Sequence, residues 1–279
     1  MTIYPIIAER FKMDGGAVFG VVPKTIWQKQ LPADEFNLVN LASRCLLADT
    51  GKRLILVDTG MGNKQSEKFF SYFYKFGPEN LESSFAQAGY TFGQVTDVIL
   101  THLHFDHVGG ALRNGERQDN YFPVFPNATY YVSKEQWDWA MSPNPREKAS
   151  FLPENYLPLY EGGRLEFIYE EGEFCEGVTL EIKNGHTRGL IIPIFDYKGR
   201  KLVFTSDFIS MVYHLPLPYV PAFDIEPIVS MREKAEFLER AVHNDFVLFF
   251  QHDHLNECCT LIRTGKGIQI KDVFPLSDL

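Results

Sequence analysis

One short stretch constrains this chain more than any other: residues 101–110, with the sequence Thr-His-Leu-His-Phe-Asp-His-Val-Gly-Gly. It places three imidazoles and one carboxylate within six residues, directly after the apolar run Val98-Ile99-Leu100. Buried imidazoles need hydrogen-bond partners, and histidine is the commonest metal ligand among the side chains. The two glycines that follow allow a tight turn, so that the ligand-type side chains can converge from a loop. The stretch therefore predicts a metal site at the end of a strand.

The composition argues against several classes of protein. The chain has 279 residues, of which 45% are hydrophobic, so it is long enough to bury a large core. Its net charge of −9, without any block of Lys or Arg, argues against a nucleic-acid partner. The N-terminus lacks the pattern of a signal peptide, and no apolar run is long enough to cross a bilayer. The four cysteines show no Cys-x-x-Cys spacing, which favours reduced thiols. We therefore expect a cytoplasmic protein without a membrane partner.

Apolar strand patterns recur along the chain, and most of them are followed by a histidine or an aspartate. A hairpin is predicted from Arg44 to Val57, around a turn at residues 49–52. Further strands are expected at 95–100, 128–132, 178–182, 190–195, 201–205 and 246–250. The groups that follow such strands are Asp58, the 102–107 cluster, His186, Asp207 and His252. If these strand ends share an edge, the groups converge where a metal ion can bind.

Other patterns predict helices and one irregular region. Ser133 and Ser230 each begin a pattern typical of a capping box, which opens a helix. A helix is expected at 79–88 with Gly89 as its end, and 65–76 is a further candidate whose aromatic residues lie all round it. The first forty residues indicate short strands and turns. The region 111–175 is irregular, aromatic and rich in proline, and we expect it to be an insertion within a single domain that spans 1–279. Such an insertion is either a lid over a site or a packed surface excursion.

The order of these groups resembles the metallo-β-lactamase superfamily. The pattern His102-x-His104-x-Asp106-His107 before two glycines is similar to the signature of that family. Its flanking pieces are also present in order, namely Val57-Asp58-Thr59-Gly60, Gly185-His186-Thr187, Ser206-Asp207 and Phe250-Gln251-His252-Asp253. The resemblance implies an α/β protein, an αβ/βα four-layer sandwich of two mixed β-sheets flanked by helices, with a binuclear metal site at one edge. Within the superfamily, the sequence looks most similar to the lactonase-like hydrolases, which include acyl-homoserine-lactone-degrading enzymes.

The resemblance also implies a ligand set. One metal ion would be held by His102, His104 and His186, and the other by Asp106, His107 and His252. Asp207 would bridge the two ions, together with a water or hydroxide. Asp58 would accept a hydrogen bond from a ligand imidazole and so fix its orientation. Imidazole and carboxylate ligands without thiolate suit two divalent ions, with zinc expected first and iron or manganese as alternatives.

Two of these assignments have competitors within the sequence. Asp207 also fits an ordinary turn or helix-capping aspartate. His254 lies two residues after His252, on the same side of an extended chain, and competes with it as the last ligand. The family pattern favours His252, because an aspartate follows it directly.

The sequence departs from the family at two positions that bear on the substrate. Leu190 stands where many members carry another histidine, although that position is not a ligand. Ser210 stands where some lactonases carry a tyrosine that helps to hold the substrate carbonyl. Tyr213 and His214 are the candidates for that substrate-binding role here, and the alternative is that they pack the proline-rich loop around them.

The implied activity is metal-dependent hydrolysis. A metal-bridging hydroxide would attack the carbonyl carbon of a small ester or lactone, with Asp106 or Asp207 carrying the proton to the leaving group. The aromatic segments 69–76 and 121–160 would suit an apolar tail. The second hypothesis is a phosphodiesterase or nuclease of the same fold, against which the net charge argues. The third is a non-hydrolytic metal-binding protein, or a redox member that depends on a flavoprotein; a structural metal site is usually closed and often contains cysteine.

Overall fold

A computed structural model describes residues 1–115 and 120–279, and the chain in these ranges forms two compact units. The first unit consists of Met1–Arg10 and Ser43–Glu171, and the second of Phe11–Ala42 and Gly172–Leu279. Residues 116–119 of the predicted insertion lie outside the described residues. Within those residues, we find no helix that combines the length and the apolar character needed to span a bilayer. The expectation of a single domain over 1–279 stays a prediction.

The described residues form strands with helices interspersed among them. In chain order they are β1 (Thr2–Asp14), α1 (Gly15–Phe19), α2 (Lys24–Trp27), β2 (Leu38–Asp49), β3 (Leu54–Val57), α3 (Glu67–Ser71), α4 (Leu81–Ala88), β4 (Asp97–Ile99), α5 (Phe105–Val108), β5 (Leu112–Asn114), β6 (Tyr121–Pro123), β7 (Thr129–Ser133), α6 (Lys134–Met141), α7 (Leu157–Glu161), β8 (Leu165–Ile168), β9 (Gly172–Cys175), β10 (Val178–Lys183), β11 (Leu190–Tyr197), β12 (Arg200–Phe204), α8 (Pro227–His243), β13 (Val247–Phe249), β14 (Cys258–Thr264) and β15 (Gly267–Phe274).

The first unit is built on a mixed sheet whose described strands have the order β1-β2-β3-β4-β7-β8. Strands β2 and β3 form the predicted antiparallel hairpin, whereas β3, β4, β7 and β8 run parallel to one another. Buried side chains such as Leu56, Val98 and Tyr130 fill its core, together with Phe85 and Phe125. Full burial of a side chain of this size stabilises the fold by about 1.5–3 kcal/mol.

The parallel pairing decides where the polar groups of the first unit lie. Leu56 pairs with Val98 and Val57 with Ile99, so β3 and β4 end at the same edge of the sheet. Asp58 follows β3 directly, and the histidine cluster begins three residues after β4. The sheet thereby places both at its carboxyl edge, as the sequence predicts.

The second unit contains a mixed sheet with the strand order β15-β14-β13-β12-β11-β10-β9 among the described residues. Strands β12 and β13 are parallel, and the other neighbouring pairs are antiparallel. Because β11 is antiparallel to β12, the turn that enters β11 lies at the edge where β12 and β13 end. His186 lies in that turn, and Asp207 and His252 follow the two parallel strands. All three predicted groups of this unit therefore share one edge.

These features confirm the predicted fold class, an α/β protein with mixed sheets and helices, as well as several local predictions. The 79–88 helix is α4, and it ends at Gly89, which has a left-handed φ of 82°. Ser133 caps α6 by accepting a hydrogen bond from the Gln136 backbone N–H. The Gln136 side chain also connects α6 to the histidine cluster, because its Oε1 accepts from the Leu103 N–H at 3.2 Å.

Three local predictions were wrong. The first forty residues contain β1, a single strand of 13 residues, rather than short strands alone. The 65–76 helix is limited to the five residues of α3. Ser230 does not begin a helix, because α8 starts earlier, at Pro227, and proline is favoured in the first turn, where its missing N–H is not needed.

We predict that Gly110→Ala destabilises the first unit. The Gly110 N–H donates to the Gly60 carbonyl, and a Cβ added at Gly110 would overlap the carbonyl oxygen of Thr59. Since two backbone segments would have to separate, we expect the free energy of unfolding to fall by about 1–3 kcal/mol in a denaturant titration. The matched control is Gly93→Ala, whose added Cβ has its nearest neighbour 3.9 Å away. Equal stability of the two variants would contradict the prediction.

Candidate metal centre

Asp58 organises the predicted ligands of the first unit. Its Oδ1 accepts from the Thr101 N–H at 2.8 Å, and its Oδ2 accepts from the Thr101 hydroxyl at 2.8 Å and from His107 Nδ1 at 2.9 Å. The Asp58 side chain is fully buried. The backbone at Asp58 has a left-handed φ of 59°, a conformation that aspartate tolerates better than most residues. A carboxylate can only accept, so His107 must carry its hydrogen on Nδ1.

The opposite nitrogen of His107 then carries the lone pair. His107 Nε2 lies 3.7 Å from Asp106 Oδ2. The backbone holds this pair in place, because the Thr59 N–H and hydroxyl both donate to the His107 carbonyl, at 2.8 and 2.9 Å. Asp106 and His107 therefore present a carboxylate oxygen and an imidazole lone pair side by side.

Hydrogen bonds through Thr101 fix the ring of His102 in a similar way. The Thr101 hydroxyl donates its single hydrogen to Asp58, so its oxygen accepts from His102 Nδ1, 3.1 Å away. The lone pair of His102 is accordingly on Nε2.

His104 has the opposite orientation. Its Nε2 lies 2.9 Å from Oε1 of Glu147 and donates to it, so its lone pair is on Nδ1. His104 Nδ1 lies 3.0 Å from His102 Nε2. Two imidazole lone pairs thus face each other across 3.0 Å, which is repulsive for neutral rings unless a cation binds both. These residues of the first unit fit a divalent metal ion.

The second unit brings the other three predicted groups together. Asp207 Oδ2 lies 3.2 Å from His186 Nε2, and its Oδ1 lies 2.9 Å from His252 Nε2. Asp207 follows Ser206, whose φ of 45° is unusual for a residue with a side chain. The contact with His252 favours this histidine over His254 as the ligand. Asp207 lies in the short helical turn Ser206–Phe208, with one imidazole at each carboxylate oxygen.

His186 and His252, the two predicted ligand histidines of the second unit, also have their tautomers fixed from the far side. His186 Nδ1 donates to Asp224 Oδ1 at 2.9 Å, and His252 Nδ1 donates to the Ala42 carbonyl at 2.8 Å. The two Nε2 lone pairs therefore point at the carboxylate oxygens of Asp207. Lone pairs on nitrogen and oxygen repel each other at these distances. Nitrogen and oxygen donors in this arrangement suit a divalent cation.

Two carboxylates of these networks were not predicted from the sequence. Glu147 is buried and bonds to His104, and Asp224 is buried, bonds to His186 and accepts from the Ser230 hydroxyl at 2.6 Å. Asp224 lies three residues before Pro227, the first residue of α8. An aspartate just before a helix is only weak evidence, within a sequence, for a buried hydrogen-bond acceptor. No pattern around Glu147 distinguishes it from a surface glutamate.

The predicted substrate-binding residues differ in their surroundings. His214 is buried, its Nε2 donates to the Val18 carbonyl at 3.0 Å, and its ring packs against Phe19. Burial lowers the pKa of His214 to about 3, so the ring is neutral. Tyr213 is half-buried, and burial raises its pKa. These contacts fit the packing alternative for His214, and a contact of either residue with substrate stays a prediction.

Known proteins with similar sequences support the family resemblance of these residues. A family model described as "Metallo-beta-lactamase superfamily" matches residues 39–252. An N-acyl homoserine lactonase of Bacillus cereus is 25% identical over 230 residues, which cover 78% of this chain and 83% of the relative.

Two solved structures are similar over nearly the whole chain. A probable metal-dependent hydrolase from Staphylococcus aureus has a TM-score of 0.88 and 28% identity, and covers 98% of this chain and 96% of its own. AidC, described as a dizinc quorum-quenching lactonase in complex with a product, has a TM-score of 0.78 and 20% identity, covering 98% and 95%. The predicted metallo-β-lactamase fold is confirmed.

We predict that Asp58→Asn weakens metal binding without changing the backbone. Asparagine also tolerates a positive φ, but its NH₂ group would face a donor in place of one carboxylate oxygen. We expect the metal affinity to fall about 10–100-fold and the free energy of unfolding to fall by about 1–3 kcal/mol. Metal content after dialysis and denaturant unfolding in chelator measure the two effects.

The matched control for this variant is Asp245→Asn. Asp245 also has a positive φ, of 53°, but its side chain is exposed and pairs with Arg200. An exposed pair of this kind contributes about 0–1 kcal/mol, so the control should behave as the wild type. If both variants retain wild-type metal content and stability, Asp58 does not orient a ligand.

Proposed function

The chain belongs to the metallo-beta-lactamase superfamily and is a metal-dependent hydrolase, and we propose that it cleaves a small ester or lactone with an apolar tail. The observation that carries the proposal is the fixed direction of the imidazole lone pairs in each unit, described above. Curated relatives that span most of the chain are named N-acyl homoserine lactonases, which supports a lactone as the substrate class.

The proposed centre contains two divalent ions. We assign His102, His104 and His186 to one ion, Asp106, His107 and His252 to the other, and Asp207 to both, as the family resemblance implies. The donors are imidazole nitrogens and carboxylate oxygens, so zinc suits the site, and iron or manganese are the alternatives. Open coordination positions are typical of catalytic rather than structural metal sites.

The chain's own residues have separable tasks in this proposal. Bound divalent ions would supply a water acidic enough to act as a nucleophile at neutral pH and would polarise the substrate carbonyl. Asp58, Glu147 and Asp224 hold the imidazoles in the orientation that binding requires. Asp106 retains some exposure, with 15% of its side chain accessible, so its carboxylate is placed to pass a proton to the leaving group, a role that Asp207 can share.

An aromatic cluster beside the ligands supports an apolar tail on the substrate. Phe105 lies between His104 and Asp106 in the chain, and its ring centroid is 5.2 Å from that of Phe69 and 4.9 Å from that of Phe73. All three rings are half-buried, so they offer apolar surface next to the ligand loop. A lactone with an acyl chain combines a polar carbonyl with an apolar tail, which suits polar ligand groups beside aromatic rings.

The charge of the chain disfavours the phosphodiesterase and nuclease alternative. A net charge of −9 repels a polyanion, and binding of nucleic acid normally depends on clustered Lys and Arg.

A cytoplasmic location stays a prediction.

We predict that Asp106→Asn removes one ion of the pair. The amide oxygen is a weaker ligand than a carboxylate, so the metal content should fall from about two ions per chain toward one while the fold is kept. Elemental analysis after dialysis, with circular dichroism for the fold, measures this outcome. The control is Asp138→Asn, an exposed aspartate paired with Lys134. Retention of two ions by Asp106→Asn would contradict the assignment.

We predict that metal-loaded protein hydrolyses acyl lactones and that the aromatic cluster sets the chain-length preference. Phe73→Ala should lower kcat/KM about tenfold for a long acyl chain, equivalent to the loss of about 50 Å² of apolar contact, and leave a short-chain substrate nearly unaffected. Tyr72→Ala is the control, because Tyr72 is 63% exposed in the neighbouring position. A panel of acyl lactones, aryl esters, a phosphotriester and a β-lactam provides the assay. Metal-dependent turnover of the phosphotriester alone would overturn the ester or lactone proposal.

A further inference from the structure

Residues 133–151, which lie within the predicted insertion, contact the ligand loop at three points. The Leu103 N–H donates to Oε1 of Gln136 at 3.2 Å. His104 Nε2 donates to Glu147 at 2.9 Å. His104 also pairs with Phe151 through an isolated antiparallel bridge, and their ring centroids lie 4.9 Å apart. This segment therefore holds both the backbone and the ring of His104.

Glu147 is the polar centre of the segment. Only 3% of Glu147 is exposed, so hydrogen bonds from protein groups must replace water in stabilising its carboxylate. Oε1 accepts from His104, whereas Oε2 accepts from Trp139 Nε1 at 2.7 Å and from Asn144 Nδ2 at 3.1 Å. The Glu147 N–H in turn donates to Oδ1 of Asn144 at 3.1 Å. One carboxylate oxygen is thus bound by the ligand loop, and the other by two residues of the segment 133–151.

We propose that Glu147 is a positioning residue of the metal centre, which fixes His104 with Nδ1 as its ligand atom and ties residues 133–151 to that ligand. The inference rests on the proposed metal site. It assigns part of the predicted insertion to the support of a ligand, rather than only to a lid or a surface excursion. Carboxylates that accept from the far nitrogen of a ligand histidine orient the ring and make it a better donor to the metal.

The hydrogen-bond pattern shows why a carboxylate is needed. Glutamine at 147 would have one oxygen for three donors. Trp139 and Asn144 converge on one position, so the amide oxygen is favoured there, and the NH₂ group would then face His104 Nε2. His104 would have to accept at Nε2 and carry its hydrogen on Nδ1. In that tautomer Nδ1 cannot bind a metal ion.

Trp139 allows a test of this reasoning by a second substitution. Trp139→Phe removes one of the two donors to Oε2 and keeps an aromatic ring. In the background of Glu147→Gln, it weakens the preference of the amide oxygen for that side. The oxygen can then turn toward His104 and restore the ligand tautomer in part. A purely structural role for Glu147 predicts the opposite, since a second substitution in the same network would add damage.

The experiment measures metal affinity and coordination rather than turnover. We would titrate the full-length protein with Zn²⁺ against a competing chelator and record the absorption spectrum after substitution with Co²⁺. For Glu147→Gln we expect the affinity of one ion to fall about 10–100-fold, with a change in the Co²⁺ bands, and we expect partial recovery of both in the double variant with Trp139→Phe. Glu135→Gln, an exposed glutamate on α6, is the matched control and should match the wild type.

The outcomes separate this inference from the proposed function. Wild-type affinity and an unchanged Co²⁺ spectrum in folded Glu147→Gln would overturn the role of Glu147, whatever the substrate. Reduced stability of the metal-free variant with unchanged affinity would likewise assign Glu147 to the fold alone and overturn the inference. Tight metal binding by the wild type without turnover of any ester or lactone would instead overturn the proposed function and leave the test of Glu147 intact.

Discussion

The direction in which each imidazole presents its lone pair is the constraint on which the site depends. A neutral imidazole has one N–H, and the acceptor that binds it decides which nitrogen remains for a ligand. Here an acceptor binds one nitrogen of each of the five predicted ligand rings and leaves the other nitrogen for a ligand. The acceptors are Asp58 for His107, Thr101 for His102, Glu147 for His104, Asp224 for His186 and the Ala42 carbonyl for His252. The available ligand atoms are therefore set by residues outside the proposed ligand set.

This arrangement concentrates negative charge in buried positions. Asp58, Glu147 and Asp224 are each at most 4% exposed, and each accepts at least two hydrogen bonds, which offsets the cost of removing a carboxylate from water. The ligand lone pairs and the carboxylates of Asp106 and Asp207 add further electron density. A bound cation compensates for it, so metal binding and the stability of the folded state are linked.

The backbone next to the ligands is conformationally demanding. Asp58 and Ser206 both have positive φ values; Asp58 directly follows β3, and Ser206 directly precedes Asp207. Gly110 allows the ligand loop to approach Thr59 so closely that a side chain would not fit. Such conformations persist where the surrounding structure stabilises them. In the first unit, the parallel pairing of β3 with β4 does this, together with the hydrogen bonds that the His107 and Gly60 carbonyls accept.

Much of this architecture could be predicted from local patterns. The hairpin at 44–57, the strands and the α4 helix depend on hydrophobic spacing and turn residues, which neighbouring positions encode. The boundaries were less predictable, since the length of β1 and the true start of α8 depend on pairing and packing with distant residues. The parallel order of β3 and β4 explains why Asp58 and the histidine cluster meet at one edge, and that order is a property of the sheet rather than of either strand.

The sequence by itself determined the chemical type of the site, because the spacing of residues 102–107 concentrates imidazole and carboxylate groups after a strand. Only the tertiary structure decided which nitrogen of each ring is available. Glu147 lies 43 residues from His104, and Asp224 lies 38 residues from His186. A hydrogen bond between such distant positions leaves no periodicity or spacing in the sequence, since it arises only when the folded sheets and loops bring an acceptor to the far side of the ring.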